Sequence, residues 1–411
     1  MKKVAIIGGG AAGMMAAATL LESGVPAEIH LFEKNASLGK KVIISGGGRC
    51  NVTTGLTDMK KLLTKYTRGA SFLRAALAAF PPERVRQWFE DHGTPLKCEE
   101  DLRVFPVSDR GEDVVGVFER LFEKGGVHLR LATSVKEIKP EGDEFGLTTA
   151  AGLEKFDAVV ITSGGNAYRH TGSTGDGYDF AKACGHTITA LGPSLNSFEV
   201  LEEWPKSLSG LSFEKSALVW SAIQVPGPFL FTHFGISGPV TFALSSHMAF
   251  ETISKAQPVQ VRFRPEADLG AADWDAKLKT VFSASGAKQL HNVLSQFFPD
   301  RFAQALLGLA SLDGTKKAAE LSKEHRQSLA RLLGDGIPVT LVLRRPGDEF
   351  VTAGGVSTEE IDPKTMRSKI NPNLYFAGEV MDVDGVTGGF NLQCAWATGK
   401  MAGASVAKTL I

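Results

Sequence analysis

Residues 1–34 read MKKVAIIGGGAAGMMAAATLLESGVPAEIHLFEK, and their order decides the fold. Val4 to Ile7 is a short apolar run with no helical stripe, the pattern of a strand buried on both faces. Gly8-x-Gly10-x-x-Gly13 follows at once, and the small residues from Ala11 to Leu21 predict a helix. A second strand, Glu28 to Phe32, ends in Glu33, 20 residues past Gly13. Each residue type has a task in a dinucleotide site. Gly8 permits the tight turn, Gly10 lets the backbone approach a pyrophosphate, and Gly13 lets the helix pack closely on the strand. The helix N-terminus offers N–H groups and a positive dipole end to phosphate. Glu33 is placed to accept hydrogen bonds from the adenosine ribose, and an acid there disfavours a 2′-phosphate. The expected ligand is therefore FAD or NAD rather than NADP. An ordinary strand-to-helix turn would account for the glycines alone, but not for the whole ordered set.

With 411 residues the chain exceeds one hydrophobic core, and two or three domains are expected. It is 43% hydrophobic and 22% charged, as a globular protein is, and its 45 glycines fall in clusters that suggest ligand-hugging loops. Zero net charge gives no bulk electrostatic reason to expect a polyanion partner. Cys50, Cys98, Cys184 and Cys394 form no C-x-x-C pair, which excludes a thioredoxin-type dithiol and a zinc knuckle and suggests a reduced chain. The first strand starts too early for a signal peptide, and no apolar run is long enough to span a bilayer, so a cytoplasmic location is expected.

Further along, Gly39-Lys-Lys41-Val-Ile-Ile-Ser-Gly46-Gly-Gly48-Arg49-Cys50-Asn51 sets three glycines beside an arginine. Such a string exposes backbone N–H groups and admits a flat or anionic ligand. Residues 58–92 read as helices broken at Pro81-Pro82, and their lysines and arginines read as a solvated face. A strand is expected at Leu102 to Phe105, then a helix from Gly111 to Glu123 capped by Asp109. Strands follow at Val127 to Leu131, Val135 to Ile138, Phe145 to Thr149 and Asp157 to Thr162. The last continues into Ser163-Gly164-Gly165, a central parallel strand whose carboxyl end meets ligand. A helix, Tyr178 to Cys184, opens near Asp176.

From about residue 193 the style changes. Alternating runs at Ala217 to Val225 and Pro258 to Phe263 predict small antiparallel strands, and the stretch from Asp273 to Leu333 is helical. The expected organisation is a first part of a nucleotide-binding domain at 1–192, and an inserted β-barrel-like domain at 193–270 and 335–350. A helical subdomain at 271–334 and the second part of the nucleotide-binding domain at 351–411 complete it. That second part has a strand ending in Gly378-Glu379, a glycine-rich loop with Gly388 and Gly389, and a helix from near Asn391 to the end. Glu379 suits a ribityl or ribose hydroxyl, and the helix start can aim N–H groups at the N1/O2 edge of an isoalloxazine. Gly46 to Gly48 lacks the spaced third glycine, so no second dinucleotide fold is read. One such domain, split by an insertion and closed by a Gly-Glu loop, suits FAD better than NAD.

GGGAAGMMAA, FEK, GKKVIISGGGRCNVT, TSGGNAYRHTGSTGDGYDFAKACGH, FTHFGISGPV and FAGEVMDVDGVTGGFNLQCAWATG together resemble the BaiN/RdsA-like flavoproteins. These are also called YhiN-like or aminoacetone-oxidase-like, within the glutathione-reductase-like superfamily. The resemblance runs nearly end to end. It implies an α/β fold with a Rossmann-like FAD-binding domain, an inserted β-barrel-like domain and a small helical subdomain. It implies FAD contacts at Gly8, Gly10, Ala11, Ala12, Gly13, Glu33, Lys34 and Lys41, then at Gly46, Gly48, Arg49, Cys50 and Asn51. Further contacts are implied at Val135, Thr162, Gly164, Gly378, Glu379, Asp384, Gly388, Gly389, Asn391 and Leu392. The activity it implies is reduction of carbon–carbon double bonds, in a ribosomal-RNA uridine to give dihydrouridine or in unsaturated bile-acid intermediates, with amine oxidation also attached to the family name.

On that basis reduced FAD would deliver a hydride and a protein group a proton. His233, between glycines in Thr232-His233-Phe-Gly235, is one candidate donor; it equally reads as a residue that orders its own loop. Cys50 is the other, with a thiol pKa that Arg49 could lower, against a packing role under the flavin. Three classes stay open: an RNA-modifying reductase, a small-molecule reductase or oxidase, and a flavoprotein whose FAD is structural. Electrons would come from NADPH, NADH or a small redox protein, and no metal is expected.

Overall fold

The computed structural model describes residues 1–410 and places β1 (Lys2–Ile7) at the centre of a five-stranded parallel sheet. The helix α1 (Ala11–Glu22) leads to β2 (Ala27–Phe32) on one side of β1, and β3 (His128–Arg130) lies beyond it. On the other side the chain returns as β4 (Ala158–Ile161), flanked by β5 (Leu374–Phe376). The spatial order is β5-β4-β1-β2-β3. Chain order reverses between β1 and β4, and the crevice outside their carboxyl ends is where open α/β sheets take ligands. Val4, Ala5 and Ile6 are at most 1% exposed, as a strand covered on both faces requires.

Met1–Ser194 and the stretch from Glu349 onward form one compact unit, and Leu195–Asp348 the other. The first unit also carries a three-stranded antiparallel sheet at Glu137–Glu141, Glu144–Thr149 and Gly152–Phe156, and a smaller one at Thr53–Thr54, Leu96–Cys98 and Arg103–Pro106. The last helix, α3 (Phe390–Leu410), packs along α1. Cβ atoms added at Gly399 and Gly403 would stand 2.3 and 2.5 Å from the carbonyl oxygens of Ala12 and Ala16. Only residues without a side chain allow that approach. Trp396 Nε1 donates to Val52 O at 2.9 Å, and Gln393 links Thr53 Oγ1 to Phe80 O.

The second unit is a closed six-stranded antiparallel barrel. Around it run Phe198–Val200, Gly235–Ser237, Ile223–Phe231, Ser212–Trp220, Val259–Arg264 and Ile337–Arg344. Helices at Ala271–Ala284, Leu290–Leu294, Asp300–Leu309 and Lys323–Gly334 share one buried core with the barrel. Phe302 reaches from its helix to Phe213, ring centroids 4.8 Å apart, in a cluster with Phe229, Phe231 and Phe263.

Several local expectations are corrected. Ala217 to Val225 is not one strand but spans a hairpin, turning at Ser221 with φ +52°. Asp109 does not cap the helix Gly111–Gly125; it is itself at φ +54° and binds Lys97 and Arg49. The strand expected from Val135 starts at Glu137, and a short strand, Tyr66–Arg68, interrupts the helices of 58–92. Lys40–Ile44 is a short helix, α2, inside the glycine-rich string. Among the described residues no helix is long and apolar enough to cross a membrane.

Within the first unit a buried relay joins Glu360, His186 and Ser368: His186 Nδ1 lies 3.1 Å from Glu360 Oε2, and its Nε2 2.8 Å from Ser368 Oγ. Burial pulls the His186 pKa below 6.5, while the Thr187 donors hold Glu360 below 4.5 despite its partial burial. A depressed histidine pKa means the unfolded chain takes up the proton first, so this stability is present above pH 6.5 and is lost as pH falls below it. Thermal melts should therefore drop between pH 7.5 and 5.5, and His186→Gln should flatten that slope while lowering the melting temperature at pH 7.5.

Candidate functional site

The crevice begins at Gly8, whose N–H donates to Phe32 O at 2.8 Å and whose carbonyl accepts from Thr162 Oγ1 at 2.9 Å. A Cβ on Gly13 would lie 1.9 Å from Gly8 O and 2.6 Å from Thr162 Oγ1. Gly13 is thus fixed by the close packing of helix on turn. Gly10 is different: a Cβ there would meet nothing within 4 Å, and its φ of −81° is open to any residue. The space beside the Gly10 Cα is open, and the first N–H groups of any helix lack intrahelical partners. That combination fits a phosphate cradle. Ala11 and Ala12, both buried, form the first turn.

Glu33 is 9% exposed, and its carboxylate accepts from Gly9 N at 2.8 Å and from Asn35 N and Nδ2 at 2.8 and 2.7 Å. Its oxygens are held rigidly at the end of β2 and keep lone pairs for a ribose. Lys34, next in sequence, turns away to Asp176 and Thr174. Lys41, on α2, pairs with Glu379 Oε2 at 2.8 Å; Glu379 Oε1 accepts from Thr352 N at 2.9 Å. The second glycine string and the C-terminal loop are therefore brought together.

Gly46, Gly47 and Gly48 have φ of +59°, +74° and +88°, and Cys50 follows at +60°. This succession of left-handed residues needs glycine, and Cβ atoms at Gly47 and Gly48 would meet nothing within 4 Å. Asn51 is buried and accepts from Val104 N at 3.2 Å. Arg49 does not lie against Cys50 as a pKa-lowering charge. Its guanidinium stacks 3.7 Å over the Phe105 ring and binds Glu99 at 2.7 Å and Asp109 at 3.4 Å. Burial instead pushes the Cys50 thiol up to about 12, opposite to the expected direction.

On the far side of the crevice, Gly164 has φ +73° close to Ser173, and Val135 is buried in coil beyond β3. Gly378 N donates to Thr398 Oγ1 at 3.0 Å. Gly388 and Gly389 are both left-handed, and a Cβ on Gly389 would stand 2.3 Å from Thr53 O. Asn391 closes this loop, accepting from Gly385 N at 2.9 Å and donating to Gly385 O at 2.7 Å; Leu392 is partly buried in the next turn. Asp384 is buried against Arg68 and accepts from Ser194 Oγ at 2.8 Å. Arg68 was read with the solvated basic stretch, whereas the structure consumes it here; Lys60, Lys61, Lys65 and Arg74 are exposed. Asp382 was not singled out from the sequence. It sits on the same loop with Oδ1 making no hydrogen bond, and burial holds its carboxyl above the usual range.

His233 belongs to the second unit. It is exposed at the turn between two barrel strands, its ring 5.1 Å from that of Phe234. It lines an open groove of about 550 Å³ with Glu199, Leu201, Lys255 and Arg345.

The model of the HI0933-like protein Rossmann domain matches residues 2–405. A 3-dehydro-bile acid Δ4,6-reductase of Clostridium scindens is 29% identical over 99% of this chain and 100% of its own. A ribosomal RNA dihydrouridine synthase of Escherichia coli is 28% identical over 96% of this chain and 95% of its own. The solved structure of a 3-ketosteroid Δ1-dehydrogenase from Sterolibacterium denitrificans shares the fold over 100% of both chains, with a TM-score of 0.53 at 13% identity. The FrdA chain of E. coli quinol fumarate reductase does so with a TM-score of 0.52 at 14% identity, over 100% of this chain and 71% of that one. The Rossmann-like α/β class and the motif-based family resemblance are borne out.

All four cysteines are free thiols, and Cys98 alone is exposed. An Ellman titration of the native protein should therefore count one rapidly reacting thiol, and the unfolded chain four; any rapidly reacting thiol in Cys98→Ser would contradict the burial of the other three.

Proposed function

Because this chain belongs to the HI0933-like Rossmann family, we propose that it is an FAD-dependent oxidoreductase that reduces a polarised carbon–carbon double bond. The observation that carries the reading is the open cradle at Gly10, set between the β1/β4 crevice and Glu33. FAD, when bound and reduced, supplies a hydride; orientation, water exclusion and proton delivery fall to the protein. The N-terminus of α1 and the open backbone at Gly10 would hold the pyrophosphate, and the preset Glu33 carboxylate would take the adenosine ribose. Glu379, held by Lys41, would take the remaining sugar-like hydroxyls. The start of α3, with Gly388 and Gly389 ahead of it, would offer its N–H groups and positive dipole end to the flavin, where they would favour the negative charge that reduction brings. Cys50 is fully buried, which favours a packing role for it over proton delivery. We assign proton delivery to His233.

Uridine in ribosomal RNA is the leading substrate, with dihydrouridine as product. The comparably similar bile-acid reductase supports an unsaturated small molecule as the second reading. NADPH, NADH or a small redox protein serves as electron donor. Four unpaired cysteines fit a reducing, cytoplasmic setting.

The purified protein should carry the flavin absorption bands. Gly10→Glu should fold, since a Cβ there meets nothing within 4 Å and the backbone suits any residue, yet lose FAD by more than tenfold in affinity because it puts a negative charge in the cradle. Nucleoside mass spectrometry of ribosomal RNA from cells lacking the gene should show loss of a dihydrouridine that the wild-type gene restores and the Gly10→Glu gene does not. An unchanged profile overturns the RNA reading. His233→Gln should lower turnover at least about a hundredfold, the usual worth of a general acid, with flavin content unchanged.

A further inference from the structure

Away from the crevice, the outer edge of the parallel sheet holds a cluster that the proposed reaction does not use. Glu28 and His30 are two residues apart on β2, so their side chains leave the same face. His30 pairs in register with His128 on β3, which brings the second imidazole onto that face. The two rings stack with centroids 4.6 Å apart and 22° between planes. One imidazole nitrogen from each histidine and a Glu28 oxygen all lie within 4.8 Å of one another. His30 is 5% exposed, walled by Phe32 and Phe156, and its Nε2 makes no hydrogen bond although Glu28 Oε2 is 3.5 Å away. At 3.5 Å that contact is longer than a normal hydrogen bond, so the buried nitrogen is weakly satisfied by its carboxylate neighbour.

We propose that Glu28, His30 and His128 form a binding site for a divalent transition-metal ion of the Zn2+ type, bridging β2 and β3. Two imidazoles and one carboxylate are a recognised zinc donor set that leaves a fourth position for water. Bonds of about 2.0–2.1 Å require the three donors to draw together to roughly 3.4 Å, and His128 is the exposed member of the three. Burial already favours the neutral imidazole at His30, the form that ligates a metal. Two cations stand nearby. Lys3 lies 3.8 Å from Glu28 Oε2, and Arg130 lies 3.4 Å from His30 Nδ1 while pairing with Glu154 at 3.3 Å. Arg130 therefore opposes the ion, and this makes a prediction of sign. Glu33 N donates to Arg130 O at 3.0 Å, so a metal clamp on these strands would brace the end of β2 where the nucleotide carboxylate sits.

The test uses the full chain, flavin retained, freed of metal with a chelator that is then removed. Zn2+ is titrated in competition with a chromophoric chelator, and Co2+ is used as a spectroscopic probe. The expected result is one equivalent bound, with intense Co2+ bands of a four-coordinate nitrogen–oxygen site and a Zn2+-dependent rise in melting temperature. His128 is exposed and Glu28 half-buried, and His128→Gln and the near-isosteric Glu28→Gln should both keep the metal-free melting temperature within a few degrees. Each should weaken Zn2+ by more than the roughly tenfold that loss of an outer-shell partner costs. Arg130→Gln should tighten it. Failure to bind, or binding that both ligand substitutions leave unchanged, overturns the site.

Discussion

The structure depends on the absence of side chains where α1, the first turn and α3 converge. Carbonyl oxygens of Gly8, Ala12 and Ala16 occupy the space that Cβ atoms at Gly13, Gly399 and Gly403 would need. Dispersion contact between backbones at this range is dense, and it leaves no slack for even one methyl group. The consequence reaches the crevice. With α1 pressed onto β1 and α3 pressed onto α1, the starts of both helices are set by packing rather than by loop conformation. A ligand that needs two helix termini at fixed spacing meets them already in place.

The hydrogen bonds around the crevice show the same economy of motion. Glu33 is held by Gly9 and Asn35, and Glu379 by Lys41 and Thr352. Asp384 is held by Arg68 and Ser194. Each acid is anchored by donors from a different stretch of chain, so none needs to reorganise to present its remaining lone pairs. The buried Asp384–Arg68 pair is a case in which removing either partner would strand a charge, and it ties the loop before α3 to the strand at Tyr66–Arg68.

What could be read from the sequence followed the range of the interactions. The β1–α1–β2 unit is local, and its periodicity, glycine spacing and terminal acid were all legible within 34 residues. The barrel was legible only as alternating runs, because the turn at Ser221 carries no Asn-Gly or Asp-Gly signal and a serine takes the left-handed conformation instead. Arg68 looked like part of a wetted helix because its partner lies in the C-terminal part of the chain. Cys50 was misjudged for a related reason: adjacency to Arg49 in sequence suggested a charge effect, whereas the left-handed turn at Gly46 to Cys50 sends the guanidinium to Phe105 and the thiol into the core. Burial is a tertiary property, and no spacing rule encodes it.

The sheet's fifth strand has a bearing on how the protein is made. Val159 on β4 pairs with Leu374 on β5, and the whole barrel unit, Leu195–Asp348, is encoded between them. Every barrel strand is made before β5, so the parallel sheet lacks one edge throughout synthesis of the barrel unit. Until then β4 presents an unpaired edge of Ala158 to Ile161, wholly apolar. The crevice at the carboxyl ends of the parallel strands is thus the last element to be completed. A chain stalled or truncated before Leu374 would be an aggregation hazard carrying a finished barrel, not a slightly shortened protein.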